Sequence, residues 1–587
     1  MTKMEIANTQ VELIRVDKLY ESLRYNEYSP ENGMGEIVDN SVEAGATRID
    51  VKITRSKKPG KGRGKIQVDE IAVIDNGCGM DLETLSKCLA LGESVRPKSK
   101  SKLGIGKFGV GMTLGSISLA RRVEVYSRAN AADDFLFTYI DLELIGNKKQ
   151  ICIPYPIAQK PNNEYKKLLN ESSGTIVVLK NCDRISGELE GLANYLGRTY
   201  RKFIERGLKI FIGTKMSDET GFRDEPVYLH DPLFLAGPTK FDVENRATNK
   251  PMDPKAKDWG IITIPKEIPD KEGETADVTI RITLLPEEWR QFEGAGGSPE
   301  AKKRHIPENE GISILRADRE VLYGHVPFIL GAKGAAKAEH IDRFWGCEIS
   351  FPPELDAYFQ VRYIKRGAEP IESLKEQIRK EIMQYIPSAR KVIRETFSKK
   401  QAEADREADI YSKAETAMAN ISHNLPLGVS AKEMTQCEED ETLDLVAKES
   451  LDTKREDSVE QKKAEQNKKE ELRKKPFSVE PVSYPKGFLF DTVNTPSALI
   501  IKLNVNHPFY VQIMKPLCGN SLEEGTWETS VANKKIWDAM LMLLFAYAKA
   551  ETMFGKENAP LFEQLRTQWG AILGTAIEDV YKGGDGA

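Results

Sequence analysis

Residues 36–46 read Glu36-Ile37-Val38-Asp39-Asn40-Ser41-Val42-Glu43-Ala44-Gly45-Ala46, and the placement of this stretch decides the fold of the N-terminal third. Just upstream, Ser29-Pro30 is a capping residue followed by one favoured in a first helical turn, so a helix is predicted from there to about Ala44. On it Glu36 and Asn40 stand four residues apart and share a face. A carboxylate and an amide oxygen so placed are able to orient a water and to hold Mg2+, a hard ion that takes few protein oxygens beside phosphate. Read alone, the pair is equally an ordinary polar helix edge facing solvent.

Working outward, the helix sits among short strands. Val11 to Tyr25 carries Leu13, Val16, Leu19, Tyr20 and Leu23 at helical spacing, while Arg48 to Ile53 and Gln67 to Ile74 alternate like strands around a basic, glycine-containing tip from Arg55 to Lys65. Where the second strand ends stands Val73-Ile74-Asp75-Asn76-Gly77-Cys78-Gly79-Met80. An apolar strand that delivers Asp75 to the sheet edge suits acceptance of a hydrogen bond from an exocyclic amine, and Gly77 and Gly79 allow a flat ring close to the backbone. The same residues also compose a common Asp-Asn-Gly turn. A third motif follows as Leu103-Gly104-Ile105-Gly106-Lys107-Phe108-Gly109-Val110-Gly111-Met112. Its four glycines free backbone N–H groups to cradle phosphates ahead of a helix N-terminus, with Lys107 in reach of the outer phosphate. No strand immediately precedes it, which excludes a dinucleotide-binding βαβ unit. The basic, serine-rich segment Ser94 to Lys102 has the composition of a mobile lid or a plain surface loop. Short strands at Val123 to Tyr126 and Thr175 to Leu179 and a basic helix at Tyr195 to Leu208 complete a predicted two-layer α/β sandwich.

Glu-x-x-x-Asn, Asp-x-Gly-x-Gly, a glycine-rich lid and Gly174-Thr175 before a strand, in that order over about residues 10–215, resemble the GHKL ATPases: gyrase B, Hsp90, histidine kinases and MutL. That resemblance implies the Bergerat ATP-binding fold, with ATP and Mg2+ as cofactors. It gives Glu36 the role of general base for the attacking water and Asn40 that of Mg2+ ligand. Asp75 receives the adenine amine, with Gly77, Gly79 and Met80 nearby. Gly104, Gly106, Lys107, Phe108, Gly109, Val110 and Gly111 wrap the phosphates, and Thr175 supports the water network of Asp75. Glu36 separates hydrolysing members from kinases, so ATP hydrolysis is implied. All six His lie downstream, at 230, 305, 325, 340, 423 and 507, which does not fit a sensor kinase with an upstream phospho-acceptor helix.

Beyond residue 225 a second α/β stretch is predicted, with strands at Val278 to Leu284, Gly311 to Leu315 and Cys347 to Phe351 and a helix at Ile371 to Tyr385. It resembles the S5-type transducer of gyrase B, MutL and MORC proteins, Gly311 to Gly324 being similar to the MORC strand pair with its short turn. Leu355 to Lys365 resembles the loop that presents a lysine to the γ-phosphate, which assigns Lys365. The loop departs from the family in having Tyr363-Ile364 where an asparagine shortly precedes the lysine. From Lys391 to Lys475 the chain is rich in Lys, Glu, Ala and Gln, which reads as long helix plus flexible linker. A compact C-terminal domain follows, with strands at Ala498 to Val505 and Phe509 to Met514 and helices at Asn533 to Phe554 and Pro560 to Val580. The expected organisation is thus α/β (α+β): an ATP-binding domain over 1–220, a transducer over 225–390, a charged helical or flexible linker over 391–475 and an α+β domain over 476–587 whose apolar helix either dimerises or is buried within its own domain.

Composition narrows the setting. The 587 residues include 85 Lys plus Arg and 90 Asp plus Glu, a net charge of −5, which excludes a uniformly basic nucleic-acid coat but not a local basic groove. Seven scattered Cys without a Cys-x-x-Cys read as reduced thiols of a cytoplasmic protein. The longest apolar run, Ala539 to Ala548, is about half a membrane span, and Met1 to Glu5 lacks the apolar core expected of a signal peptide; secreted, membrane-spanning and zinc-ribbon readings drop out. The resemblance to MORC and MutL implies a homodimeric, ATP-gated clamp on double-stranded DNA. Basic clusters at Lys57 to Lys65, Arg121-Arg122 and Arg198 to Lys209 are candidates to track phosphates, while no recognition helix, endonuclease motif or topoisomerase tyrosine is identifiable. The alternative is an Hsp90-like chaperone or switch with a protein client, which the acidic balance and charged linker suit better. Prokaryotic MORC-like proteins also resemble this architecture, which implies a role in bacterial defence against phage.

Overall fold

The computed structural model describes residues 14–25, 28–58, 65–92, 104, 109–169, 172–185, 189, 191–269, 271–290, 299–309, 311–324, 339–360, 370–407, 410–422, 425–426, 428–432, 434–451, 459–484, 487–518 and 527–582. The chain divides into two compact units, one of residues 1–289 with 297–389, the other of 290–296 with 390–587.

The first unit begins with α1 (Val16–Arg24) and α2 (Pro30–Glu43). Ser29 caps α2 by accepting from the Asn32 N–H, with Pro30 in the first turn, as the Ser-Pro pair leads one to expect. Strands β1 (Arg48–Lys58) and β2 (Lys65–Asp75) pair antiparallel, with Ile49 opposite Asp75. After the short α3 (Leu82–Lys87) and α4 (Gly111–Leu119) come β3 (Arg122–Arg128), β4 (Leu136–Asp141), β5 (Ile157–Ala158), β6 (Gly174–Lys180), β7 (Lys209–Met216) and β8 (Arg223–Pro226). Among the described residues the sheet runs β5-β4-β3-β6-β2-β1-β7-β8, antiparallel except for β1 beside β7. Period-two alternation sends Ile49, Val51, Ile53, Ile71 and Val73 into one core with Ile37 and Val38 of α2 and Ile117 of α4. Ile74, Tyr126, Phe137 and Ile176 form a smaller cluster with Tyr165. Helices α2 and α4 cross closely because both are glycine-lined there: a Cβ on Gly115 would lie 2.8 Å from the Gly33 carbonyl oxygen.

The basic helix expected over Tyr195 to Leu208 is two helices, Leu192–Thr199 and Arg201–Glu205, interrupted at Tyr200 (φ −106°, ψ 17°), whose side chain is fully buried and hydrogen-bonded. The second sheet of the same unit comprises β9 (Lys257–Glu267), β10 (Thr275–Leu284), β11 (Ile312–Arg316), β12 (Arg319–Gly324) and β13 (Trp345–Phe351), in the order β12-β11-β13-β10-β9. A helix over Glu372–Met383 follows, burying Leu374, Ile378 and Ile382 at intervals of four.

The second unit holds a three-stranded sheet, β14 (Phe477–Val482), β16 (Leu499–Asn504) and β15 (Phe490–Asn494), with β16 central. The stretch read as long helix plus flexible linker contributes helices to this unit. The helices Ser412–Ile421, Gln436–Leu451 and Val459–Lys474 place Tyr411, Ala414 and Met418 in one core with the sheet, and Leu443, Val446 and Leu472 in another with Ile500. The few apolar residues in this stretch are spaced for one helical stripe, which its overall charge hides. Phe509 to Met514, read as a strand, lies in a helical run. Pro508 opens a helical turn, and Tyr510 and Met514, four apart, are both buried. Long helices Trp527–Glu551 and Ala559–Lys582 complete the unit. No helix of the described residues is long and apolar enough to cross a membrane.

Candidate nucleotide-binding site

Three elements meet at one end of the first sheet. Asp75, the last residue of β2, is 5% exposed. The Ser41 hydroxyl of α2 donates to its Oδ2 at 2.9 Å and the Gly77 N–H donates to its Oδ1 at 2.9 Å. Burial raises its pKa to about 6, although the Gly77 N–H, the Ser41 hydroxyl and the Thr175 backbone all donate to it. All of these partners are neutral, and the carboxylate is ionised at neutral pH with acceptor capacity remaining. Thr175 lies directly opposite in the β2–β6 ladder. Its hydroxyl is 2.9 Å from Ser127 Oγ, which accepts from the Met80 N–H at 2.8 Å and donates to the Gly174 carbonyl at 3.1 Å. This chain ties the Asp75 turn to β3 and β6.

Gly79 has φ +67°, and a Cβ there would lie 2.0 Å from the Arg128 carbonyl oxygen. The loop therefore needs glycine to turn against β3.

Glu36 of α2 is 3% exposed. Its carboxylate rests on the head of α4: a Cβ on Gly111 would come within 2.2 Å of Glu36 Oε2. Only glycine admits the carboxylate there, beside the N-terminal N–H groups of α4, where negative charge is favoured. Asn40 is exposed, and its amide nitrogen donates to the Glu36 carbonyl at 2.9 Å. What Asn40 offers a ligand is its amide oxygen, which fits a hard cation that takes its remaining oxygens from phosphate and water. Among the described residues no group of three or more His, Cys, Asp or Glu is arranged to hold a metal ion.

Of the glycine-rich segment, Gly104, Gly109, Val110 and Gly111 are described. Gly106, Lys107, Phe108 and the candidate Lys365 lie outside the described residues, as do residues 59–64 of the basic hairpin tip. A cleft of about 250 Å3, lined among others by Asn32, Glu36, Tyr195, Arg198, Arg319 and Tyr323, opens on the Glu36 end of the site and does not touch Asp75.

Several residues that hold this arrangement carry no motif. The Arg319 Nε of β12 donates to Asp39 Oδ1 at 2.8 Å, and the Tyr200 hydroxyl lies 2.7 Å from both Asp39 Oδ1 and the Gly35 carbonyl. Burial, with the Asp39 carboxylate adding to it, pushes the Tyr200 phenol well above its usual range, so it stays a donor. The basic residues offered to phosphate at Arg198 to Lys209 are largely spoken for. Arg198 pairs with Glu320 at 2.6 Å, buried Arg201 with Glu320 at 2.8 Å and Glu348 at 2.7 Å, and Lys202 with Glu348 at 3.0 Å. Arg121 likewise pairs with Asp183 at 2.7 Å, and Arg122 with Glu124 at 2.7 Å and Asp141 at 3.1 Å. Apart from Glu124, two residues from Arg122 on the same strand, these carboxylates come in through the pairing of segments apart in the chain, which is why a reading of local charge misses them.

Residues 28–175 match the family described as "Histidine kinase-, DNA gyrase B-, and HSP90-like ATPase". Among curated relatives, Protein MICRORCHIDIA 7 of Arabidopsis thaliana is 29% identical over 148 residues, 24% of this chain and 20% of that protein. DNA mismatch repair protein MutL of Erwinia tasmaniensis is 34% identical over 114 residues, 19% of this chain and 17% of that one. MutL of Shewanella pealeana is 38% identical over 101 residues, 17% and 14% of the two chains. The chain thus spans a fifth or less of the length of these relatives. The order of the motifs, the sheet that carries them and these matches agree, and residues 28–175 form a GHKL ATPase domain whose relatives include MORC and MutL proteins.

Proposed function

We propose that the chain binds and hydrolyses ATP at the end of its first sheet and uses the cycle to open and close a dimer on DNA. The observation that carries the reading is that α2 joins both ends of the site, with Ser41 bonded to Asp75 and Glu36 seated against Gly111. In this reading the Asp75 carboxylate accepts from the adenine amine, with Gly77, Gly79, Met80 and Thr175 shaping its surroundings. Glu36 takes the proton of the attacking water. The α4 head and the segment from Gly104 through Gly106, Lys107, Phe108, Gly109 and Val110 to Gly111 hold the phosphates. Bound Mg2+ would supply charge neutralisation to those phosphates, with the Asn40 amide oxygen as its protein ligand. Lys365 is assigned to the γ-phosphate and the second sheet, with its helix, to the transducer.

Self-association is supported by the second unit. There Phe490, Met540, Leu544, Tyr547, Trp569 and Leu573 are among the residues lining an apolar groove of about 520 Å3, beside Leu543 and Ile572, which are 69% and 71% exposed. DNA as the partner rests on the kinship to mismatch-repair MutL. The ion pairing of the basic clusters weakens it. The same apolar groove would serve a protein client, the second reading.

Steady-state ATPase of the full chain, with and without plasmid DNA at low and moderate salt, tests both layers. Wild-type turnover is expected to rise with DNA, with the rise fading as salt increases. Glu36→Ala is expected to keep ATP binding and lose about 100-fold or more in turnover. Normal turnover by Glu36→Ala sinks the base assignment, and a rate indifferent to DNA moves the reading to a protein client.

A further inference from the structure

Strands β11 and β12 are joined by the two residues Ala317 and Asp318, with Arg316 paired to Arg319 across the hairpin. Both turn residues have positive φ, 50° and 66°. Such turns favour glycine, asparagine or aspartate, and alanine is a strained choice. The surroundings hold it in place. The Ala317 N–H donates to the Phe351 carbonyl at 3.1 Å, its side chain packs on the core of the first sheet, and Asp318 pairs with Arg206 at 2.7 Å.

The two flanking arginines are each 4% exposed and reach different parts of the nucleotide site. Arg316 is clamped by Asp356, with Nε and Nη2 donating to its two carboxylate oxygens at 2.5 and 2.8 Å. Its remaining Nη1 donates to the Gly104 carbonyl at 2.7 Å. Arg319 donates to Asp39, one helical turn beyond Glu36 on α2 and on the same side of it. The planar guanidinium is what allows Arg316 to bond Asp356 through one edge and Gly104 through another; a lysine has no such fork.

We infer that the Arg316–Arg319 turn is a positioning element of the nucleotide site, Arg316 holding Gly104 and Arg319 setting the rotation of α2, and hence of Glu36, through Asp39. This rests on the ATPase reading above. It divides the work: Arg316 governs how well the phosphates are gripped, Arg319 how well the base is aimed.

The test uses the full chain, with ATP turnover, calorimetric binding of a non-hydrolysable ATP analogue and thermal melting measured on each variant. Arg316→Gln is expected to raise KM and the analogue Kd about tenfold with kcat within about threefold, and Arg319→Gln to lower kcat about tenfold with KM within about threefold. Arg319→Lys keeps a cation beside Asp39 and is expected to recover kcat to within about threefold of wild type. A merely structural role lowers the folded fraction and would depress kcat in both variants in step with the melting temperature, leaving KM alone; that outcome overturns the inference. So does wild-type behaviour of both well-folded glutamine variants, or wild-type kcat in Arg319→Gln with a raised KM. Where Arg319→Gln does not fold, the Arg316→Gln and Arg319→Lys pair decides: equal loss of kcat in both, with unchanged KM, counts against it. Failure of the wild-type chain to bind or turn over ATP would instead remove the underlying ATPase reading.

Discussion

Asp39 and Asp75 are buried to nearly the same degree, 2% and 5% exposed, and both touch α2, but they are compensated in opposite ways. Asp39 meets a full counter-charge in Arg319 at 2.8 Å, with the Tyr200 hydroxyl beside it. Asp75 meets a hydroxyl and backbone N–H groups, and its pKa climbs to about 6. A structural carboxylate is neutralised by the protein that buries it. A carboxylate held with neutral partners only is costly to the free protein, and it has something to gain when a ligand brings a donor. The contrast separates the group that ties α2 to the second sheet from the group proposed to receive a nucleotide.

Breaking the first half of the contrast has the largest expected effect. Asp39→Ala leaves the Arg319 guanidinium buried without its partner, which typically costs about 3–5 kcal/mol. Thermal melting should fall steeply, and Asp39→Ala with Arg319→Met together should melt higher than Asp39→Ala alone. An unchanged melting temperature in Asp39→Ala would dissolve the comparison.

The second half predicts the opposite sign. Asp75 has an ordinary value of 3.8 and a folded value of about 6, so the folded chain binds a proton more tightly than the unfolded one. The contribution of Asp75 to the stability of the nucleotide-free chain should therefore rise as pH falls from above 6 towards 4, read as the difference between wild type and Asp75→Asn, and the cost of its buried charge is fully present well above pH 6. At pH 7.5 Asp75→Asn removes that cost, and nucleotide-free Asp75→Asn is expected to be more stable than wild type by roughly 2 kcal/mol, read by denaturant titration. A loss of stability of that size would show that the site is not held in a strained, ligand-ready state.

The smallest effect sharpens the same point by titration. In the proposed site protonation weakens the acceptor offered to the adenine amine, so ATP affinity is expected to fall about tenfold between pH 7.5 and pH 5. Asp75→Asn should show no such dependence from this group. A flat wild-type profile over that window would mean that the carboxylate does not receive the base.

Much of the site could be read from local sequence because its motifs are local. Ser29-Pro30 starts α2, alternation marks β1 and β2, and Glu36, Asn40, Asp75 and the glycines follow from short spacings. What stayed hidden depends on pairs far apart in the chain. Arg319 is 280 residues from Asp39 and Tyr200 is 161, and no periodicity links such positions. Arg201 looked like surface charge until the second sheet brought Glu320 and Glu348 to it. Ser41 and Ser127 are too common as residues to signal anything alone, and only the fold makes them partners of Asp75 and Met80. Phe509 to Met514 has the composition of a strand, and burial of Tyr510 and Met514 on one side makes it helix instead.

The most direct test of the ATP-site claim is isothermal titration of Mg-ATP into the full-length wild type and Asp75→Asn at pH 7.5. The account expects saturable one-to-one binding by wild type and loss of about 100-fold or more in affinity for Asp75→Asn, whose side-chain amide turns a donor towards the adenine amine. Equal affinity in the two proteins would contradict it and take Asp75 out of the nucleotide site.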